Sequence, residues 1–302
     1  MGEGRKGLLL GVAAYGMWGA FPLYWPLLEP SGAVELLAHR VVWSAVVMVL
    51  LVAVLRRTDR LRSLLTSVRE RRLLTVAAVL ISVNWGVFIY GVTNEHVVET
   101  SLGYFINPLV TVVAGVVVLG ERLRPLQWGA VALAAAAVLG LSVEHGRPPW
   151  IALSLAFSFA GYGLLKKQAN AGAVEGLTVE TLVVAPLALG FLLWLGSTGG
   201  SHAMEDPPWH LVLLVSSGLV TALPLICFGG AATRVPLTTL GLLQYLTPSM
   251  HFLLGVTVFG EEMSTGRWVG FALIWVALTI FTAESMRQRQ LATAAVIAER
   301  VV

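Results

Sequence analysis

Apolar runs of about 18 to 22 residues follow one another along the whole chain, each long enough to cross a hydrocarbon core of roughly 30 Å. They predict ten membrane-spanning helices, near 7–28, 34–55, 73–92, 100–119, 126–143, 150–166, 177–195, 209–229, 237–259 and 267–284. Two of these runs read alike. "TSLGYFINPLVTVVAGVVVLGE" ends at Glu121 and "TTLGLLQYLTPSMHFLLGVTVFGE" ends at Glu261. Both open on Thr-x-Leu-Gly, carry a proline at mid-run and close on Gly-Glu.

The likeness has a period. Pro108 answers Pro248, Gly115 answers Gly255, Gly120-Glu121 answers Gly260-Glu261 and Trp128 answers Trp268, each 140 residues on. Leu102-Gly103 answers Leu240-Gly241 at 138, so two residues are inserted between. The unit is therefore five spans: residues 1–145 form one repeat, 146–286 the second and 287–302 a short tail. Five is odd, so the second unit must enter the membrane from the opposite side. An inverted repeat of this kind is a transporter architecture, able to form an inward and an outward gate from one design.

Polar residues on the two matched runs share one helical face. Tyr104, Asn107, Thr111 and Gly115 stand at i, i+3, i+7 and i+11, and the 140-residue offset gives Gln244, Thr247, His251 and Gly255. Pro108 and Pro248 interrupt these faces and each frees a backbone carbonyl, which a cavity or a neighbouring helix must satisfy. The matched placement points to a substrate pathway near the midplane, with hydrogen-bonded contact between helices as the alternative. His251 can titrate near neutrality or stay neutral on a carbonyl. On the first span Tyr15, Trp18, Pro22 and Trp25 form an aromatic stripe, and the third contributes Asn84, Trp85 and Tyr90. In "VELLAHRVVWS", Glu35 and His39 lie one turn apart with Arg40 beside them. A Glu35–His39 or Glu35–Arg40 ion pair is expected there, with proton or substrate contact the alternative.

Charge sets the expected orientation. Of the 20 Lys and Arg, 17 fall in loops on one side of the predicted topology, including seven between Arg56 and Arg72. By the positive-inside rule that side is cytoplasmic, as are both termini. Within that basic loop Leu61, Leu64, Leu65 and Val68 keep helical spacing, fitting a short interfacial helix or a solvated loop equally well. Lys166 and Lys167 end the sixth span and are read simply as obeying the same rule.

Composition agrees: 57% of residues are hydrophobic, only 12% are charged and the mean hydropathy is +0.80, whereas soluble domains carry about a quarter charged residues. The basic residues sit in short loops and imply no nucleic-acid partner. The single cysteine, Cys227, can form no intramolecular disulfide. The first apolar run is too long for a signal peptide. Phosphate-binding, metal-helix, dithiol and nucleophile-elbow motifs are absent. No enzyme activity, cofactor or metal is therefore expected. Small residues at Ala132, Ala136 and Gly140, and at Gly266 and Gly270, suit peripheral helix packing and suggest a homodimer contact.

The ordered segments "HRVVWS", "NWGVFIY", "SLGYFINPLV", "LGER", "AFSFAGYGLLKK", "ATRVPLTTLG" and "QYLTPS" resemble the RarD-type permeases of the EamA group in the drug/metabolite transporter superfamily. The resemblance runs from about residue 6 to 284. It implies ten helices in two inverted EamA repeats in a bacterial cytoplasmic membrane. It also implies a cavity lined by helices 1, 3, 4, 6, 8 and 9, which places Trp18, Asn84, Tyr104, Asn107, Tyr162, Gln244 and His251 at or near the pathway. The expected function is secondary transport of a small metabolite or drug-like solute by alternating access, with export as the expected direction and protons as one coupling option through His251, Glu35 or His39. A non-transporting sensor, scaffold or lipid-handling protein is the alternative. The expected partners are a small-molecule substrate and the lipid bilayer.

Overall fold

The computed structural model describes residues 2–28, 31–94, 96–143, 150–201, 208–258 and parts of 265–287. All regular structure among them is helical. The helices are α1 (Glu3–Gly19), α2 (Ala33–Val54), α3 (Thr58–Thr66), α4 (Val68–Thr93), α5 (Val97–Leu119), α6 (Pro125–Val143), α7 (Trp150–Ala169), α8 (Ala173–Ser197), α9 (Pro208–Ala232), α10 (Leu237–Leu243) and α11 (Leu246–Thr257). Four helices are long and apolar enough to cross a membrane: Ala33–Val54, Val68–Gly91, Ala173–Ser197 and Trp209–Ala232, with mean hydropathies of 2.2, 2.0, 1.9 and 2.4. Their outward faces carry bare apolar side chains, Leu187 being 77% exposed, as lipid and not water would allow.

Proline and glycine chemistry sets the helix ends. The first span stops as an α-helix at Gly19 and continues as two tight turns, Phe21–Leu23 and Trp25–Leu28. Pro22 and Pro26 lack the N–H that an α-helix would need, so the α-helix does not continue through them. The stretch expected as the ninth span divides between α10 and α11 at Gln244–Tyr245, and Pro248 falls in the first turn of α11, where no N–H is required. Pro108 behaves otherwise than expected. α5 runs through it unbroken from Val97 to Leu119, because packing on both sides holds the helix together across the missing bond.

Contacts place alternate helix ends together. At one end Arg234 bonds Glu3 at 2.7 Å, Arg57 meets Glu175 at 3.3 Å and Lys167 reaches the Val235 carbonyl. That end gathers the starts of α1, α8 and α10 with the ends of α2, α7 and α9, and carries most of the basic residues. Lys6 and Arg234 beside Glu3 hold its carboxyl below the usual carboxylate range. At the far end Tyr24 donates to the Leu213 carbonyl at 2.9 Å and Ser31 bonds His210 at 2.9 Å. Of the two readings of the basic loop a short helix is found, α3, with Leu61 and Leu64 packed against buried Leu74, Ala169 and Val179, while Val68 begins α4.

The packing scheme is regular. α1 packs on α9, α10 and α11; α2 on α8 and α9; α4 on α7 and α8; α5 on α7 and α10; α6 lies against α5. Ala132, Ala136 and Gly140 on α6 are exposed. The repeat boundary near 145, together with Glu261, Arg147, Arg267 and the tail from 288, lies outside the described residues.

Candidate substrate-binding site

A cavity of about 450 Å³ lies among α1, α2, α4, α5, α7, α9 and the α10–α11 break. Of the residues expected on the pathway, Trp18, Asn84, Tyr104, Asn107, Gln244, Thr247 and His251 line it. Ala33, at the start of α2, and Thr100, in the first turn of α5, mark its reach toward the far end of the bundle. The basic end is shut. There the Glu121 carboxylate accepts the backbone N–H groups of Leu237 at 2.6 Å and Thr238 at 2.8 Å, and Lys167 stands 3.8 Å away. Gly120 makes this reach possible: its φ of +66° ends α5 in a left-handed turn that glycine alone adopts freely. Gly120-Glu121, the first of the two Gly-Glu pairs, therefore has a structural job.

The two polar faces meet across the cavity. The rings of Tyr104 and His251 stand edge-on at 5.9 Å, and Gln244 Nε2 donates to Thr111 Oγ1 at 3.1 Å. Thr111 itself is buried behind the cavity wall, donating to the Asn107 carbonyl at 2.9 Å. With its proton used there, Thr111 Oγ1 must accept from Gln244. That fixes the amide and leaves Gln244 Oε1 buried without a partner, as is Asn107 Oδ1. His251 Nε2 lies 3.2 Å from the Trp18 carbonyl, next to the end of α1. A carbonyl only accepts, so Nε2 carries a proton. Thr247 donates to the Tyr15 carbonyl at 2.9 Å, and Asn84 ties α4 to α7 through the Leu155 carbonyl at 2.8 Å.

Other expectations need correction. The Glu35 cluster is divided. Glu35 accepts from Ser201 at 2.8 Å, His39 Nδ1 accepts from Trp43 at 3.3 Å, and Arg40 pairs with neither. Five residues along a helix carry a side chain well around to another face, so Arg40 turns to the cavity while Glu35 does not. Arg40 Nε donates to Thr221 at 2.9 Å, and its guanidinium lies 4.6 Å over Trp25 and 5.2 Å from the Trp85 ring centre. Tyr162 is fully buried outside the cavity and donates to Glu180 at 3.1 Å. Lys166 does more than terminate a span: 5% exposed, it bonds Glu180 at 2.6 Å. Glu180 escaped notice although it lies inside a predicted span, where a charge costs about 2.5–3.5 kcal/mol and demands a partner. Among the described residues no group of His, Cys, Asp and Glu could hold a metal ion.

Comparison with known proteins matches the model of the EamA-like transporter family twice, over residues 5–143 and 149–283. The chain belongs to this family. This EamA-like transporter is 57% identical to "Protein RarD" of Streptomyces exfoliatus over 94% of the chain and 90% of that relative. It is 45% identical to "Protein RarD" of Escherichia coli K12, covering 93% of the chain and 95% of the relative. An "Uncharacterized transporter" of Vibrio cholerae is also 45% identical, over 94% of each chain. It is thus a RarD-type permease, a membrane transporter. A protein of known crystal structure superposes with a TM-score of 0.69 over 91% of this chain and 96% of its own, at 18% identity, which shows the fold alone.

Proposed function

We propose that this protein is a secondary transporter that moves a small metabolite or drug-like solute across the bacterial cytoplasmic membrane by alternating access. Two inverted five-helix repeats, residues 1–145 and 146–286, would rock against each other, with both termini cytoplasmic and export as the direction.

One observation carries the reading. Tyr104 and Gln244 are repeat mates, as are Thr111 and His251, so the Tyr104–His251 and Gln244–Thr111 contacts are one contact made twice. The packing scheme supports it in the same way. With α1 paired to α7, α2 to α8, α4 to α9 and α5 to α10–α11, the α1–α9 contact has its image in α7–α4, and α2–α9 in α8–α4. A shut basic end with a cavity reaching the far end fits an outward-facing state. His251, on the cavity wall, is the proton carrier if coupling is to protons; Glu35 and His39 lie behind the wall. A homodimer would use the exposed α6 face.

The test compares metabolites in the medium of cells lacking, expressing and over-expressing the protein, with Asn107→Leu as control. A compound whose external level follows the wild type and not the variant is expected. No such compound, with both proteins confirmed in the membrane, would overturn export. Wild-type flux in Asn107→Leu would remove Asn107 from the pathway.

A further inference from the structure

Arg40 is the one ionised side chain on the wall of the cavity; no Asp, Glu or Lys lines it among the described residues. Its guanidinium is anchored by Nε on Thr221 and flanked by the rings of Trp25 and Trp85. Among the described residues no carboxylate approaches it, and its terminal Nη groups have no hydrogen-bond partner. Arg40 is only half-buried and faces the cavity, so its Nη donors stay available to a ligand, and ring faces attract the charge without replacing its hydrogen bonds. A peg meant only to pack α1, α2, α4 and α9 together would be served as well by an apolar side chain. The anchored Nε instead leaves the Nη edge preset for two parallel bonds, the geometry that a planar carboxylate matches. Across the cavity the buried oxygens Asn107 Oδ1 and Gln244 Oε1 lack donors.

Resting on the transport reading of this cavity, we propose that it binds a small monoanionic organic acid. The carboxylate takes the Nη edge of Arg40. The apolar or aromatic body lies against Trp18, Trp85 and Phe88, and an N–H or O–H on it donates to Asn107 or Gln244. A dianion would leave a charge unneutralised by a single guanidinium, and a cation would be repelled. A volume of about 450 Å³ admits a solute of this size.

The test uses the full-length protein purified in a neutral detergent. Thermal stabilisation is followed against 3-phenylpropionate, indole-3-acetate and hexanoate, each beside its neutral amide, with phenylpropylamine as the cation. At least one acid is expected to stabilise the wild type at concentrations roughly 10- to 100-fold below its amide, the range that hydrogen bonds to a charged group supply. That difference should vanish in Arg40→Gln and persist, reduced, in Arg40→Lys, which keeps the charge and loses the paired geometry. Thr221→Val, which frees the Nε anchor, should weaken the preference for acid over amide; this variant serves if Arg40→Gln does not fold. No acid preferred over its amide, or a preference surviving in Arg40→Gln, overturns the proposal. Proteoliposome flux separates it from the transport reading. Arg40-dependent acid binding without flux supports the site and removes transport. Asn107-dependent flux of a cation or neutral solute, with no acid preference, keeps transport and overturns the acid site.

Discussion

Tyr245 donates its phenolic O–H to the carbonyl of Phe105 at 3.3 Å, and the two stand 140 residues apart, the period of the internal repeat. A residue that touches its own repeat mate lies where the two halves are related to each other. The Tyr104–His251 and Gln244–Thr111 contacts flank that point as a matched pair. Motion of one half against the other changes contacts least at such a centre and more with distance from it. Tyr245→Phe should therefore lower stability by about 0.6 kcal/mol, at most about 1.7, and leave flux close to wild type. Gln244→Leu, on the cavity wall, should cut flux several-fold for a similar loss of stability. Thermal midpoints in detergent and flux in proteoliposomes measure both, and equal losses of flux in the two variants would contradict the assignment.

The basic end is held by Glu121 on the first turn of α10, through two backbone N–H groups at 2.6 and 2.8 Å. Hydrogen bonds to a charged group are worth about 1.5–3 kcal/mol each, so Glu121→Ala should open this end at least tenfold more often. A cysteine placed at Ala114, in a Cys227→Ala background, reports the opening. Its labelling by an impermeant maleimide added from the end expected to be cytoplasmic should accelerate by that factor. Unchanged labelling would take Glu121 out of the closure.

The all-helical membrane class and several residues of the cavity wall were legible in the sequence because both rest on period. The apolar runs announced the helices, and the 140-residue repeat singled out Asn107, Gln244 and His251 on one face of each matched helix. What the sequence hid depends on contacts between distant spans. Arg40 read as one of two candidate ion-pair partners of Glu35, with substrate contact the alternative, yet the groups it meets, Trp25, Trp85 and Thr221, come from three other segments. Tyr162 sat on a helix that does line the cavity, through Leu155 and Phe159, but points to Glu180 on α8. A helix face can be read from spacing; which neighbour covers it cannot. Pro108 shows the limit of local rules, since the same residue type that ends α1 at Gly19 is absorbed within α5.

Close approach of α2 and α9 depends on Gly218. A Cβ there would run into Trp43 and come within 2.7 Å of the Ser44 nitrogen, while Ser44 donates to the Gly218 carbonyl at 3.0 Å. Backbone cannot give way as a side-chain end can. Gly218→Ala should cost about 1–3 kcal/mol, the range for overpacking, and lower the thermal midpoint. Gly129→Ala, where a Cβ meets nothing within 4 Å, should be neutral or slightly stabilising. A Gly218→Ala protein as stable as wild type would show that these helices pack less closely than described.

Lys166 and Glu180 form a buried pair at 2.6 Å, exposed by only 4% and 3% of their side chains, with Tyr162 donating to the second carboxylate oxygen at 3.1 Å. Neither charge lines the main cavity, so their effect should be on stability before binding. Removing one partner leaves the other charge buried alone, which costs about 3–5 kcal/mol. Glu180→Leu and Lys166→Met should each lower the thermal midpoint sharply. The double change Lys166→Met with Glu180→Leu removes both charges, and should recover most of the loss, because replacing a whole buried pair with apolar groups is often neutral. Tyr162→Phe deletes one hydrogen bond to a charged acceptor and should fall between wild type and the single charge variants. Midpoints of the four variants in one detergent decide it. A double variant losing the sum of the two single losses would mean that Lys166 and Glu180 act independently, and that the contact at 2.6 Å contributes nothing to holding α7 against α8.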